Sequence, residues 1–183
     1  MRKIHKVGIT PERVLLDGQH LDLSSMGFDM LTEIYRSRVN DYPKFFKMDE
    51  LSRLGFIASE LLLQVAGDRH AGSEDRAVIL FGRSGSLCND RKYQVTIQQQ
   101  DDFFPSPSLF VYTLPNIVTG EIAIRNQYYG ETSFYVLDQK DDVLMEQTFA
   151  AAFVDPMTQS IIGGWVDCEG KDHYEAELYL IEK

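Results

Sequence analysis

The sequence is poor in cysteine and carries no excess of positive charge, and each shortage excludes a class of protein. Cys88 and Cys168 are the only cysteines in 183 residues, too few for the disulfide framework of a small secreted scaffold. The 28 acidic and 18 basic residues give a net charge of −10. That balance argues against binding to nucleic acid or to an anionic membrane surface.

Long apolar runs are missing as well. No stretch approaches the roughly 18 consecutive apolar residues that a membrane-spanning helix needs. The basic start of the sequence, residues 1–6, is not followed by the apolar core of a signal peptide. We therefore expect a protein without a membrane span that stays in the cytoplasm. The composition, 44% apolar and 25% charged, predicts a single globular domain over residues 1–183.

Strand-like and helix-like segments alternate along most of the chain. Apolar residues recur at helical spacing over residues 45–65, and shorter helical patterns cover 26–39, 88–98, 115–127 and 141–153. Strands are predicted at residues 14–16, 77–81, 132–137, 160–166 and 175–181. Strands separated by helices predict a layered α/β fold with a mostly parallel sheet.

Three local patterns suggest chemistry, and each has a simpler interpretation. Residues 82–86 follow a strand but lack the Gly-Lys-Ser/Thr ending of a phosphate loop, which favours a strand-end turn. Cys168 and His173 enclose two acids but match no zinc spacing, which favours a polar hairpin loop. Cys88 has no histidine near it in sequence, so an inert thiol is the default interpretation. We expect neither a metal nor a cofactor.

Four stretches, in this order, resemble the amino-terminal half of the β-ketoacyl synthases, the condensing enzymes of the thiolase superfamily. They are residues 45–49 (FFKMD), 77–85 (AVILFGRSG), 105–124 (PSPSLFVYTLPNIVTGEIAI) and 161–164 (IIGG). The third stretch is the most specific and leads towards a turn at Gly130, as the family's segment does before its nucleophile strand. The resemblance covers about residues 44–183, whereas residues 1–43 form a poorly matched lead-in.

The resemblance also identifies where this sequence departs from an active enzyme. The family's nucleophilic cysteine lies nine residues after the turn glycine, and the same count from Gly130 reaches Gln139. A carboxamide cannot form a thioester, which excludes acyl transfer through this position. Glutamine there is similar to chain-length-factor subunits and decarboxylating loading synthases, but the charged residues that follow Gln139 depart from both.

The family's catalytic histidines and lysine come from a carboxyl-terminal half that this sequence does not contain. The long excursion before the last strand of the amino-terminal half is replaced here by a short loop, residues 167–173. The resemblance therefore implies α/β architecture: half of a thiolase-like fold, with a mixed, mostly parallel sheet of about five strands and helices on its faces. It also implies a helix layer with an exposed apolar face, because its twin half is absent.

The family dimerises through the edge strand before the nucleophile, and the resemblance places that interface on one short segment of this chain. The interface residues are Thr132, Phe134, Tyr135, Val136 and Leu137. The segment carries no lysine or proline of the kind that protects an edge strand from pairing.

These observations predict a pseudoenzyme, a chain-length-factor-like accessory subunit of fatty-acid, polyketide or aryl-polyene-type lipid synthesis. It would act as a homodimer or in a heterodimer with a full-length ketosynthase. Contact with an acyl carrier protein would be indirect, because carriers are themselves acidic. Two alternatives stay open: a small enzyme that acts on acyl thioesters, and a structural or regulatory homodimer unrelated to acyl chemistry.

Overall fold

A mixed sheet of seven strands forms the centre of the chain, in the order β3-β2-β1-β7-β6-β4-β5. The computed structural model describes residues 1–67, 75–98 and 104–183. The strands are β1 (Arg2–Thr10), β2 (Arg13–Leu16), β3 (Gln19–His20), β4 (Ala77–Gly82), β5 (Thr132–Val136), β6 (Ser160–Gly170) and β7 (His173–Glu182).

The α-helices are α1 (Asp29–Ile34), α2 (Glu50–Ala66), α3 (Leu87–Ile97), α4 (Pro107–Val111), α5 (Ile117–Asn126) and α6 (Asp142–Ala152). A π-helical segment (Tyr35–Val39) continues α1, and a 3₁₀ helix (Pro43–Lys47) precedes α2. The α/β class and the mixed sheet predicted from the sequence are thereby confirmed. The sequence also predicts a polar, proline-bearing loop over residues 101–107, of which residues 101–103 lie outside the described residues, as does His70.

The sheet has seven strands rather than about five, and most of its pairs are antiparallel rather than parallel. β4 runs parallel to β5 and to β6, whereas β6 with β7, β7 with β1, and β1 with β2 are antiparallel. The two additional strands are β1 and β3. β1 was not predicted because its charged residues mask the alternation of apolar and polar residues. Val7 and Ile9 of β1 point into the core, whereas Lys6 and Thr10 alternate with them on the other side of the strand.

One face of the sheet is covered by α2, which packs against β1, β6 and β7 and against α5. The helix starts where Asp49 accepts a hydrogen bond from the Ser52 amide at 3.0 Å, so its first turn is capped. Most side chains along α2 are buried, which matches the apolar periodicity of its sequence. This helix is therefore the centre of the larger core.

The opposite face carries α6, which directly follows β5 along the chain. Met145 and Phe149 of α6, with Phe153 just after its end, pack into a second, smaller core on β4 and β6. Gly163 of β6 allows the close approach, because a Cβ there would lie 2.5 Å from Cε1 of Phe149. α6 is thus packed closely against the sheet, and the loop that precedes it begins at the end of β5.

The β6–β7 hairpin is tighter than the sequence predicted. The expected loop at residues 167–173 is mostly strand, since β6 continues to Gly170 and β7 begins at His173. Cys168 and Tyr174 face each other across the hairpin, and both are buried. Because both side chains are buried, the strand pairing continues through residues 167–170, although this stretch is polar in sequence.

Candidate functional site

The loop between β5 and α6, residues 137–141, occupies the position that the resemblance assigns to the nucleophile. Gln139 is exposed there, between the exposed residues Asp138 and Lys140. Asp141 ends the loop and caps α6 by accepting a hydrogen bond from the Leu144 amide at 3.0 Å. The loop therefore presents a carboxamide to solvent, and no helix or strand of the described residues covers it.

A network of charges fixes this loop to the sheet. Lys140 Nζ lies 2.7 Å from Glu177 Oε1 on β7, and Lys6 Nζ on β1 lies 2.8 Å from Glu177 Oε2. The hydroxyl of Tyr179 donates a third hydrogen bond to Glu177 at 2.6 Å. One carboxylate thus joins two strands to the loop.

The same contacts explain the acidity of Glu177. Partial burial opposes its ionisation, but the hydrogen bonds from Lys140, Lys6 and Tyr179 outweigh burial and lower its pKa to about 2. At neutral pH the network therefore carries two ammonium groups around one carboxylate. Such a network holds the loop in place and leaves Lys140 engaged rather than available as a base.

The glycine-bearing turn after β4 is a structural turn, as the sequence analysis favoured. The amides of Arg83 and Ser84, which would bind an anion in a phosphate loop, donate to Asp167 Oδ1 at 3.0 and 2.7 Å. Asp167 comes from β6, so the turn is tied to the neighbouring strand. Its anion-binding groups are already occupied by a carboxylate of the same chain.

Among the residues that the structure describes, the two thiols contact Glu50 and the Gly170 carbonyl, and neither forms a hydrogen bond with a histidine. Cys88 Sγ is 3.9 Å from Glu50 Oε2, and burial together with the nearby Glu50 charge raises the pKa of its thiol. Cys168 is buried, and burial raises the pKa of its thiol to about 12. His5 is paired instead with Asp17, at 2.8 Å. Within residues 1–67, 75–98 and 104–183, no group of three or more His, Cys, Asp or Glu side chains is arranged to hold a metal.

The predicted edge strand is found at the edge of the sheet. β5 pairs with β4 alone among the described strands, so its other side is open. Val136 and Tyr135 are 58% and 40% exposed, whereas Thr132 is an exposed polar residue. Phe134 and Leu137 are half-buried against the two cores. The position of the segment is as predicted, and its role as an interface stays a prediction.

Further exposed apolar surface lies beside β5, around α4 and on α6. The sequence analysis predicted an exposed helix face but not the surface around α4, where Leu114 and Phe110 are exposed. Pro115 and Val136 both lie beside Gly85, since a Cβ on Gly85 would be 3.7 Å from Pro115 and 3.5 Å from Val136. Because α4 has five residues, its sequence gives too short a pattern to reveal an exposed face.

The outer side of α6 is the exposed apolar helix face that the resemblance implied. Val143 is 66% exposed and Val154, just beyond the helix, is 81% exposed. Since the inner side is also apolar, α6 carries apolar side chains on two sides, and exposed apolar surface of this kind often marks a binding site.

Comparison with known proteins gives similarity at the level of structure. No protein-family profile matches the chain, and no curated protein matches it in sequence. A chain of the ishigamide ketosynthase/chain length factor superimposes with a TM-score of 0.68 at 17% identity, covering 99% of this chain and 61% of that chain. A chain of the ketosynthase ApeO in complex with its chain length factor ApeC, from Xenorhabdus doucetiae, gives 0.62 at 17% identity, covering 100% and 78%.

These similarities confirm the fold that the resemblance implied. The chain has the α/β fold of the ketosynthase and chain length factor structures, and it spans 61% of the length of the first of them. In the described part of the chain, no helix is both long enough and apolar enough to cross a membrane.

Proposed function

We propose that this chain is a non-catalytic, chain-length-factor-like subunit that binds a ketosynthase through β5. The observation that carries the proposal is the combination of this fold with an open, apolar edge strand and an exposed Gln139 next to it. The two structures compared above contain ketosynthase and chain length factor together, which supports a ketosynthase as partner. We place its role in fatty-acid, polyketide or aryl-polyene-type lipid synthesis.

The absence of catalysis is part of the proposal and rests on chemistry. Acyl transfer by a ketosynthase needs a thiol that can become a thiolate and a base that accepts its proton. Gln139 offers no thiol, and Lys140 beside it is bound to Glu177. The accessory role therefore needs this surface for binding rather than for turnover.

Physical complementarity favours the β5 edge as the binding surface. Its free backbone groups can continue the sheet into a partner strand, and Val136, Leu114 and Phe110 supply exposed apolar area beside it. Burying one such side chain contributes about 1.5–3 kcal/mol. Lys140 in the neighbouring loop is paired with Glu177 of the same chain.

The test is co-purification of tagged chain with a ketosynthase co-expressed from the same organism. We expect a 1:1 complex for the wild type and at least about tenfold less ketosynthase with Val136→Lys, because a buried lysine charge opposes pairing. Val95→Lys on α3 is the matched control, since Val95 is 61% exposed, close to the 58% of Val136. Equal loss with both variants, or no complex with the wild type, would contradict the proposal.

A structural homodimer is the second candidate, because the same open edge can pair with its own copy. It differs from the first candidate in needing no ketosynthase. The two are separated by the mass of the isolated protein and by capture of the ketosynthase.

A further inference from the structure

A cavity of about 380 Å³ opens above β1, β2 and β7, on the face of the sheet that points away from α2. Gly8 forms its floor, because an added Cβ there would have only the Leu15 Cβ near it, at 4.0 Å. The volume lies in the range of sites that bind small molecules. These three strands lie in the half of the sheet opposite β5, so the cavity is separate from the open edge.

Five charged side chains line the cavity, and three of them are paired with one another. Lys6 and Lys140 both bind Glu177, so these groups are satisfied within the chain. The other two are Arg13 and Glu175. Within the described residues, neither of these two forms an ion pair or a side-chain hydrogen bond. The cavity therefore holds one unpaired cation and one unpaired anion.

The strand register places these two side chains on opposite sides of the same opening. Arg13 pairs with Thr10 across β2 and β1. Ile9 pairs with Ala176 across β1 and β7, so Glu175 lies beside Thr10 on its other side. Because Ile9 and Ala176 are buried in the larger core, their neighbours along the strands face the cavity. Two strand spacings separate the Cα atoms of Arg13 and Glu175 by about 10 Å.

We propose that this cavity binds a small α-amino acid with an apolar side chain. Its carboxylate binds the Arg13 guanidinium, and its ammonium group binds the Glu175 carboxylate. Both contacts are charge-assisted hydrogen bonds, and a guanidinium can hold a carboxylate through two of them. The apolar side chain of the ligand lies over Gly8 and against Leu15.

The charges select a zwitterion over a simple anion or cation. An anion bound to Arg13 would face the carboxylate of Glu175, and a cation bound to Glu175 would face the guanidinium of Arg13. A ligand with opposite charges on one carbon satisfies both groups together. The inference goes beyond the accessory role and does not depend on it.

Calorimetric titration of the full chain tests the ligand class with leucine and phenylalanine as probes. We expect saturable binding of one molecule per chain, with a Kd below about 1 mM for at least one of them. Isocaproate and isoamylamine are leucine without its ammonium and without its carboxylate, respectively. Each should bind at least about tenfold more weakly than leucine, because it leaves one charge of the site unpaired.

Substitutions locate the site. Arg13→Gln and Glu175→Gln should each weaken amino-acid binding at least about tenfold, since each removes one charged contact. Gly8→Val should block binding by filling the floor, and the open space above Gly8 accommodates the added side chain. Arg91→Gln on α3 is the matched control, because Arg91 is exposed and does not line the cavity.

Absence of saturable binding of both amino acids up to about 10 mM would overturn the proposal. Isocaproate that binds as tightly as leucine would overturn the zwitterion, and equal weakening by Arg91→Gln would overturn the site. Capture of a ketosynthase should be the same for Gly8→Val as for the wild type, so failure of the amino-acid site leaves the proposed function intact.

Discussion

At the scale of single residues, the proposed lack of condensing activity depends on Gln139. It occupies the position that the resemblance assigns to the nucleophile, and a carboxamide cannot form a thioester there. Its neighbour Lys140 forms an ion pair with Glu177. His5 forms a hydrogen bond with Asp17. We therefore propose binding, rather than condensation, as the role of this loop.

Replacing Gln139 by cysteine should not create a condensing enzyme. The new thiol would lie in an exposed loop without a histidine to accept its proton, so thiolate formation would be unassisted. Incubation with acyl and malonyl carrier proteins should give no ketoacyl product for the wild type or for Gln139→Cys. An active ketosynthase with the same carriers is the positive control, and turnover of either chain above a heat-killed sample would contradict the assignment.

At the scale of elements, Glu177 connects the edge-strand loop to the middle of the sheet. The loop between β5 and α6 is also held by Leu137, whose amide donates to the Gly82 carbonyl at 3.0 Å, and by the cap at Asp141. Because Lys140 and Lys6 bind the same carboxylate, removing that carboxylate frees two ammonium groups and weakens the attachment of the loop.

Glu177→Gln should lower the free energy of unfolding at pH 7 by about 1–2 kcal/mol, less than the full pKa shift implies because the site is partly screened by solvent. The pKa of Glu177 is lowered from 4.5 to about 2, so its stabilisation is present above about pH 4.5 and is lost as pH falls towards 2. Urea unfolding of the wild type and of Glu177→Gln at pH 7 and near pH 2 measures the difference in unfolding free energy at each pH.

Glu175→Gln is the matched control on the same strand, because Glu175 is exposed and has no ion pair with any residue that the structure describes. It should change stability by less than about 0.5 kcal/mol at either pH. A difference between wild type and Glu177→Gln that persists unchanged near pH 2 would contradict the electrostatic explanation.

Elements with a strong local pattern could be predicted from the sequence, and those that depend on distant partners could not. The apolar periodicity of α2 and the continuous apolar run of β4 decide their structure locally, and the expected boundaries differ from those observed by a few residues. β1 was missed because its charged residues mask the alternation, and its antiparallel pairing with β7 depends on residues far along the chain. The Lys140–Glu177 contact joins residues 37 positions apart, for which no sequence pattern exists.

At the scale of the whole molecule, one α/β sheet combines a protected edge with an open one. β3, at one end, has two residues and offers little to a partner. β5, at the other end, is longer, carries apolar side chains, and continues into the exposed apolar face of α6. The two ends therefore differ in their capacity to bind, and the account predicts association at one of them.

The measurement that tests this account most directly is hydrogen exchange of the backbone amides of β5 in the complex with a ketosynthase. The amides of Thr132, Phe134 and Val136 point to the open side of the sheet, so only a partner strand can protect them. We predict slow exchange for all three in the complex, at least about tenfold slower than for the same residues in the Val136→Lys variant. Rapid exchange of these amides in a stable ketosynthase complex would show that the partner binds elsewhere and would contradict the central claim.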